Sequence, residues 1–484
     1  MKIARSIKRA IFGAEPSFSG TGKGRMRGWV APSTGTNTAI IYSLSELRTR
    51  SRDLTRNFSY MKGAYEVVAS NIIGPGINVM PKHDDCAVCK KLRQLWDDWC
   101  EECDIEGVNS LDQILCLLNH ERWEAGEGFL RFVYTDTFPI PLKLQVLSAD
   151  QCKIDENHIN ADGSQTIGGV TVDKNGTVIR YTFYKANPDE SIVPLNTYET
   201  EELDASEICH YFKQIWPGQR RGIPEVFSSI VKARDMLEYD EAELAKKKMA
   251  AMMAAFVTTP SSEGVLNADP DDPDVDEGEA MARITTGTIT TLAPGEDIKF
   301  NPPSESGSSY EPFMLQNLRA LARSVGLTYE EFSNDMSKAN FSSIRAGLNI
   351  TQRQHRQEQK LIIHQVLRRI WEEFVKSAIL SGAAEIDPEE YVKDPKHFTR
   401  ARFQAPGWPY VNPQQEIAAQ KDKVRCGFAS RAQIVAENGF DVADIDNQIA
   451  ADAERASELG LVYDTDPTGG MGAPKPQTAE TTQK

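Results

Sequence analysis

The chain has 484 residues, 40% hydrophobic and 26% charged, the balance of a globular protein with material for two or three domains. Its 54 Lys and Arg against 70 Asp and Glu leave a net charge of −16, which argues against tight binding to nucleic acid, because phosphate contacts need clustered Lys and Arg. The longest apolar run, 249–257, is too short to span a bilayer, so no membrane partner is expected. Eight cysteines, with no apolar signal-peptide core behind the basic first residues, lead us to expect free thiols inside a cell.

Residues 1–38 are rich in Gly, Ser and Thr without periodicity and are expected to be loose. Within them Gly20-Thr21-Gly22-Lys23-Gly24 imitates a phosphate loop but lacks its Lys-Ser/Thr step and a preceding strand. Helical patterns follow over 44–73, stopped by Gly74-Pro75-Gly76, then over 86–103 and 110–125. Cys86, Cys89, Cys100 and Cys103 make two Cys-x-x-Cys pairs, a spacing that often holds zinc. Between the pairs, Leu92, Leu95, Trp96 and Trp99 recur at helical spacing, which puts Cys89 and Cys100 about 16 Å apart along one helix. One tetrahedral ion does not reach both. The expectation is therefore four free thiols, no metal, Trp96 and Trp99 facing inward, and Lys90, Lys91, Asp97 and Asp98 wet.

After Gly126 the pattern changes to short alternating runs at 129–134, 142–147, 166–172, 178–184 and 208–212, divided by the turn signals Asn160-Ala161-Asp162-Gly163 and Asp173-Lys174-Asn175-Gly176. A small antiparallel β region is expected there, followed by a long helix over 223–256 with Pro224 in its first turn. The stretch 267–279 holds seven acidic residues broken by Pro270 and Pro273, and reads as a solvated loop because an EF-hand frame would need Gly at its sixth position. Strands at 287–292 and 298–300, a helix at 311–325 and a loop at 328–339 lead into the longest pattern of the chain.

That pattern, 340–382, has no proline and only Gly347 inside it, so it predicts one helix roughly 60 Å long, capped by Asn340 or Ser342 and ended by Gly382. Its second half carries an apolar stripe of Ile362, Val366, Ile370 and Phe374. Its first half, 351–360, is polar on every side and is expected to meet solvent, a charged neighbour or a wet space. Arg345, Arg353, Arg356, Lys360, Arg368 and Arg369 stand in this region against Glu358 alone. Beyond it, a strand at 398–403 and helices at 413–427, 431–439 and 442–459 precede a Pro/Gly/Thr-rich tail from Thr465.

No nucleophile elbow, His-Glu-x-x-His, dinucleotide fingerprint or Walker A motif is present, so acyl transfer, zinc proteolysis, hydride transfer and P-loop hydrolysis lack their usual signatures. His210, beside strand aromatics, reads as a packed or surface histidine rather than a ligand. Instead, several stretches in order resemble the lambda-type portal proteins of tailed bacteriophages. They are Arg50-Ser51-Arg52-Asp53-Leu54-Thr55-Arg56-Asn57, Ser70-Asn71-Ile72-Ile73-Gly74-Pro75-Gly76-Ile77, Trp96 and Trp99 with Asp104-Ile105-Glu106-Gly107, Gly126-Glu127-Gly128-Phe129-Leu130, Leu144-Gln145-Val146-Leu147, His210-Tyr211-Phe212 with Pro217-Gly218-Gln219-Arg220-Arg221-Gly222-Ile223-Pro224, and 334–345.

The resemblance implies an α+β subunit with a mixed wing, long stem helices, a small clip, a tunnel loop and a helical crown. By analogy the parts are a flexible segment at 1–39, the wing at 40–340, the first stem helix at 341–382, the clip at 383–411, the second stem helix and tunnel loop at 412–430, the crown at 431–464 and a disordered tail at 465–484. It further implies a ring, usually dodecameric, at one capsid vertex of the virion, assembled in the host cytoplasm without cofactors or catalysis of its own. Double-stranded DNA passes through this ring, and its partners are the terminase large subunit, capsid and scaffolding proteins, and head-completion or adaptor proteins. Arg345, Arg353, Arg356, Lys360, Lys423 and Arg425 are the candidates for the channel wall. Whether the arginines of the long helix meet the bore or a neighbour's carboxylates is left open by the sequence. The competing readings are a nucleic-acid-processing enzyme, such as a terminase subunit or a nuclease holding magnesium on Asp271, Asp274 or Glu279, and a zinc-dependent module around 86–103.

Overall fold

The computed structural model describes residues 33–136, 139–188, 199–252, 256–258, 297–299, 307–408, 413–438, 440 and 442–461. The expected acidic loop at 267–279, the strand at 287–292, the tail from Thr465 and Gly20 to Gly24 lie outside them.

Helix α1, Thr36–Asn57, begins inside the segment expected to be loose. It breaks at Phe58, whose extended backbone lets its buried ring pack while α2, Ser59–Ile72, restarts. Gly74 (φ 52°) and Gly76 (φ 122°) end α2 in the left-handed region, as their lack of a Cβ permits. Strand β1, Asn78–Pro81, leads to α3, Cys86–Glu102, where the Asp85 carboxylate accepts from Ala87 N at 2.8 Å and caps the first turn. Helix α4, Leu111–Ala125, opens with a reciprocal capping box of Ser110 and Gln113.

Strands β2, Glu127–Tyr134, and β3, Leu142–Leu147, follow, then the meander β4 (His158–Ile159), β5 (Gln165–Ile167), β6 (Val170–Val172), β7 (Val178–Tyr184) and β8 (Thr200–Asp204), and finally β9, Ile208–Phe212. Two antiparallel sheets result, β3-β2-β9 and β4-β5-β6-β7-β8. Acidic β8 gave no strand signal because it is an edge strand. It is held to β7 by backbone pairing and by exposed ion pairs such as Arg180 with Glu202.

Helix α5, Ile230–Met252, starts later than the expected 223. Tertiary contacts override helix propensity over 223–229, since Glu225 N donates to the Trp123 carbonyl at 3.0 Å, and Pro224 lies in this irregular segment. Phe256, expected to end that helix, lies in β10, Phe256–Thr258, which pairs with β11, Asp297–Lys299. Helix α6, Gly307–Ser324, lies against α5, with the Tyr239 and Phe313 rings 4.5 Å apart. The expected loop before the long helix contains α7, Tyr329–Ser333, boxed by Thr328 and Glu331.

The long pattern is α8, Phe341–Ile362, then one π-helical turn, Ile363–Leu367, and α9, Arg368–Leu380. Asn340 is the cap, accepting from Ser343 N at 2.8 Å, and Gly382 (φ 79°) follows the end. Ile362, Val366, Ile370 and Phe374 are fully buried. Phe374 meets Trp96 at 4.9 Å and Trp99 at 5.2 Å, so the inward tryptophans of α3 clamp the apolar half of the rod. Because α3 is continuous, its two cysteine pairs lie at opposite ends of the helix.

Residues after Gly382 return to this body. Helices α10, Pro388–Lys393, and α11, Pro395–Thr399, precede β12, Ala401–Gln404, which pairs antiparallel with β1. The Trp371 indole donates to the Thr399 carbonyl at 2.9 Å. Helices α12, Pro413–Arg425, α13, Arg431–Glu437, and α14, Val442–Leu459, bury no residue among those described.

Candidate functional site

The polar half of the long helix is two-faced: polar on every side, as expected, it nonetheless buries one side in the body rather than meeting only solvent, a charged neighbour or a wet space. Thr351, His355 and Gln359, spaced one turn apart, are buried. Gln359 Nε2 donates to the carbonyls of Asn71 (3.0 Å) and Pro406 (3.2 Å), and Thr351 donates to Glu331 at 3.2 Å. Glu358 is drawn toward the body as well, pairing with Lys213 at 2.7 Å and Arg122 at 3.4 Å. A polar strip thus buries itself through hydrogen bonds where an apolar strip would have buried itself by area.

The opposite face holds the candidate cations. Arg345 pairs with Glu416 of α12 at 3.2 Å, and the Arg356 guanidinium lies 5.4 Å over the Trp408 ring. Both residues, with Lys423, Gln352, Trp408 and Glu416, line one groove of about 340 Å³ between α8 and α12. Arg353 and Lys360 are exposed on α8, and Arg425 is exposed on α12, outside that lining. Arg369 is structural, donating to the Ala205 and Ser206 carbonyls at 2.9 Å each. Arg368 lies 5.8 Å over the Phe403 ring.

A second constellation, unforeseen from the sequence, lies at the start of β2. Glu127 is fully buried and accepts from Arg221 Nε (2.7 Å), Gly222 N (2.8 Å), His210 Nε2 (2.9 Å) and Arg48. Arg48 also donates to Asp150 at 2.8 Å, and Asp150 meets Arg52 at 2.5 Å. Burial opposes the Glu127 charge, but Arg221, His210 and Arg48 together outweigh it and hold the carboxyl well below its ordinary range. His210 is held below its ordinary value, chiefly by burial. The backbones close in around the carboxylate. A Cβ on Gly126 would stand 2.3 Å from the Ile223 backbone, and one on Gly222 would stand 2.0 Å from the Gly126 oxygen. A charged residue between two glycines at the head of an apolar strand was the available signal.

Glu127, His210, Arg221 and Arg52 come from three of the separate stretches that carry the family resemblance, and they converge on this one ionic node. The profile described as "Phage portal protein, lambda family" matches residues 22–359. The chain belongs to that family. This portal protein is 24% identical to a probable portal protein of Halomonas phage phiHAP-1 over 87% of its own length and 83% of the relative's. With portal protein B of Escherichia phage lambda it shares 21% identity, each chain being 70% covered. Among solved structures it is similar to a chain in the neck of an empty GTA particle, with 14% identity, a TM-score of 0.47, and 91% of this chain and 99% of that one covered. Among the described residues the portal protein has no group of three or more His, Cys, Asp or Glu placed to hold a metal ion, and no helix long and apolar enough to cross a membrane. Asp271, Asp274 and Glu279 lie outside those residues.

Proposed function

We propose that this portal protein assembles into a closed ring at one capsid vertex and that the exposed face of α8, with its neighbours on α12, lines the path of double-stranded DNA. The observation that carries this reading is the row Arg345, Arg353, Arg356 and Lys360 on a helix whose other side is buried in the body. In a chain of net charge −16, isolated cations on a repelling wall steer DNA without gripping it, since each phosphate paired to Lys or Arg adds friction as well as affinity. Lys423 and Arg425 of α12 extend the same surface.

In this reading the chain has no catalytic role. The terminase that drives DNA, the scaffolding and capsid proteins around the ring, and the head-completion proteins beneath it are its partners in the virion. The assignment of wing (40–340), first stem helix (341–382), clip (383–411), second stem helix with tunnel loop (412–430) and crown (431–464) belongs to the same proposal. Among the described residues of 383–411, helix α10 has no buried residue and offers surface for docking.

Negative-stain microscopy of the purified full chain tests the ring. Closed rings with an axial channel are expected, and a strict monomer that also hydrolyses ATP or DNA would overturn the reading. Changing Arg353, Arg356 and Lys360 to Glu is expected to leave rings intact while altering DNA packaging or retention in a salt-dependent way. Failed assembly, restored by charge reversal on the neighbour, would assign these residues to the subunit interface instead.

A further inference from the structure

A second cavity, of about 270 Å³, opens where the end of α4, the residues after α6 and the buried face of α8 meet. Its charged lining is Arg122, Lys213, Arg323, Glu225 and Glu358. Four of these neutralise one another in a square. Arg122 meets Glu225 at 3.1 Å and Glu358 at 3.4 Å, and Lys213 meets the same two carboxylates at 3.2 and 2.7 Å. Arg323 is left over. It is exposed and makes no ion pair among the described residues, so the cavity carries one unbalanced positive charge.

The same walls hold polar atoms without partners. Trp123 Nε1 can only donate, is fully buried and has no acceptor; His355 Nε2, also buried, has no partner and donates in one of its two neutral tautomers; Arg122 Nε and Gln354 Oε1 on the same lining are unpartnered as well. Buried polar atoms without partners are costly and rare, so several of them beside one cavity call for a group that the protein itself does not supply. That group must accept hydrogen bonds, carry negative charge to balance Arg323, and fit a space of about 270 Å³.

We infer that this cavity is a binding site for a phosphate-class oxyanion, held by Trp123 Nε1, by His355 in its Nε2-protonated tautomer, and by the Arg323 guanidinium at the mouth. The ion-paired square of Arg122, Lys213, Glu225 and Glu358 fixes the walls without consuming the ligand's charge. The site lies apart from the groove lined by Arg345, Arg356 and Lys423, shares no lining residue with it, and does not depend on the channel reading. The oxyanion has two possible sources, free inorganic phosphate or a backbone phosphate of nucleic acid.

Equilibrium dialysis of the full chain against radiolabelled inorganic phosphate, with chloride at matched ionic strength as the reference, tests the site. Saturable binding is expected, together with a rise in unfolding midpoint in phosphate that chloride does not reproduce. Arg323→Ala removes an exposed side chain and should keep the fold, yet it should weaken phosphate binding by about tenfold or more, or 1.4 kcal/mol. Trp123→Phe, which removes the donor and keeps the ring system largely filled, should weaken it too. An excess of short duplex DNA then separates the sources: displacement of the label assigns the site to backbone phosphate, and retention assigns it to the free ion. Non-saturable uptake or equal midpoints in phosphate and chloride would show that the cavity holds water only, and unchanged affinity in Arg323→Ala would place the binding elsewhere; each would overturn the proposal.

Discussion

Arg221 Nε donates to Glu127 Oε1 at 2.7 Å with both side chains removed from solvent, and this pair joins the loop before α5 to the first residue of β2. Replacing Glu127 with Gln keeps the shape but leaves the buried Arg221 guanidinium without its counter-charge and Arg48 with Asp150 alone. A loss of about 3 to 5 kcal/mol is expected in chemical denaturation, with poor soluble yield. A variant as stable as wild type would show that Asp150 and the neighbouring carbonyls satisfy both arginines.

Phe374, fully buried between Trp96, Trp99 and Trp371, tests the apolar half of the rod. Phe374→Ala should cost about 3 to 5 kcal/mol and lower the yield of assembled rings. The denaturation midpoint and the fraction of rings by microscopy read the two effects separately.

Two glycines separate crowding from backbone conformation. Gly126→Ala drives a Cβ into the Ile223 backbone and should abolish soluble folded protein, whereas Gly382→Ala, at φ 79° with nothing within 4 Å, should cost only about 1 to 2 kcal/mol for left-handed strain. Thermal melts of the two variants side by side distinguish these outcomes.

Burial holds His355 below its ordinary value of 6.5, against the opposing pull of Glu331 and Glu358. Protonation is disfavoured in the folded state, so below about pH 6.5 the unfolded chain binds more protons and stability rises with pH; above it both states are neutral and the slope vanishes. Wild type should therefore lose stability relative to His355→Gln as pH falls from about 7.5 to about 5.5. A difference independent of pH would mean that this imidazole is as accessible as in a peptide.

Thiol chemistry reads the cysteines. Cys86 and Cys426 are exposed, while burial pushes Cys152 to about 11 and both Cys103 and Cys209 to about 12. In native protein, Cys86 and Cys426 should label fast with an aromatic disulfide, and the three buried thiols only on unfolding. Fast labelling of Cys103 would contradict the inward seat of α3.

What was legible in the sequence was what local chemistry decides. Asn340 and Gly382 announce the ends of the long helix, Trp96 and Trp99 the inner face of α3, and Asp173 to Gly176 the turn before β7. Residues whose partners are remote in sequence gave no sign. Asn78 gives no strand signal until Gln404 arrives beside it in the register of β1 and β12, and Thr351, His355 and Gln359 read as wet because their acceptors and packing come from other elements. Glu127 belongs to the same class. Of the site, the sequence supplied the cations; only folding shows that Arg345, Arg356 and Lys423 share a groove while Arg353, Lys360 and Arg425 do not.

The π turn at 363–367 works as a phase correction along the rod. At about 100° per residue, the nineteen positions from His355 to Phe374 would carry the second side chain roughly 100° past the first in an unbroken α-helix, yet both are buried. A π turn takes up about one extra residue, which turns the following helix back by nearly that amount and brings the hydrogen-bonded strip and the apolar strip onto one meridian. The helix therefore keeps time with the body because the π turn absorbs one supernumerary residue. Deleting a single position there would let the rod run on as unbroken α-helix, with the cation row of α8 keeping its bearing on α9, because eighteen positions at about 100° close on five whole turns.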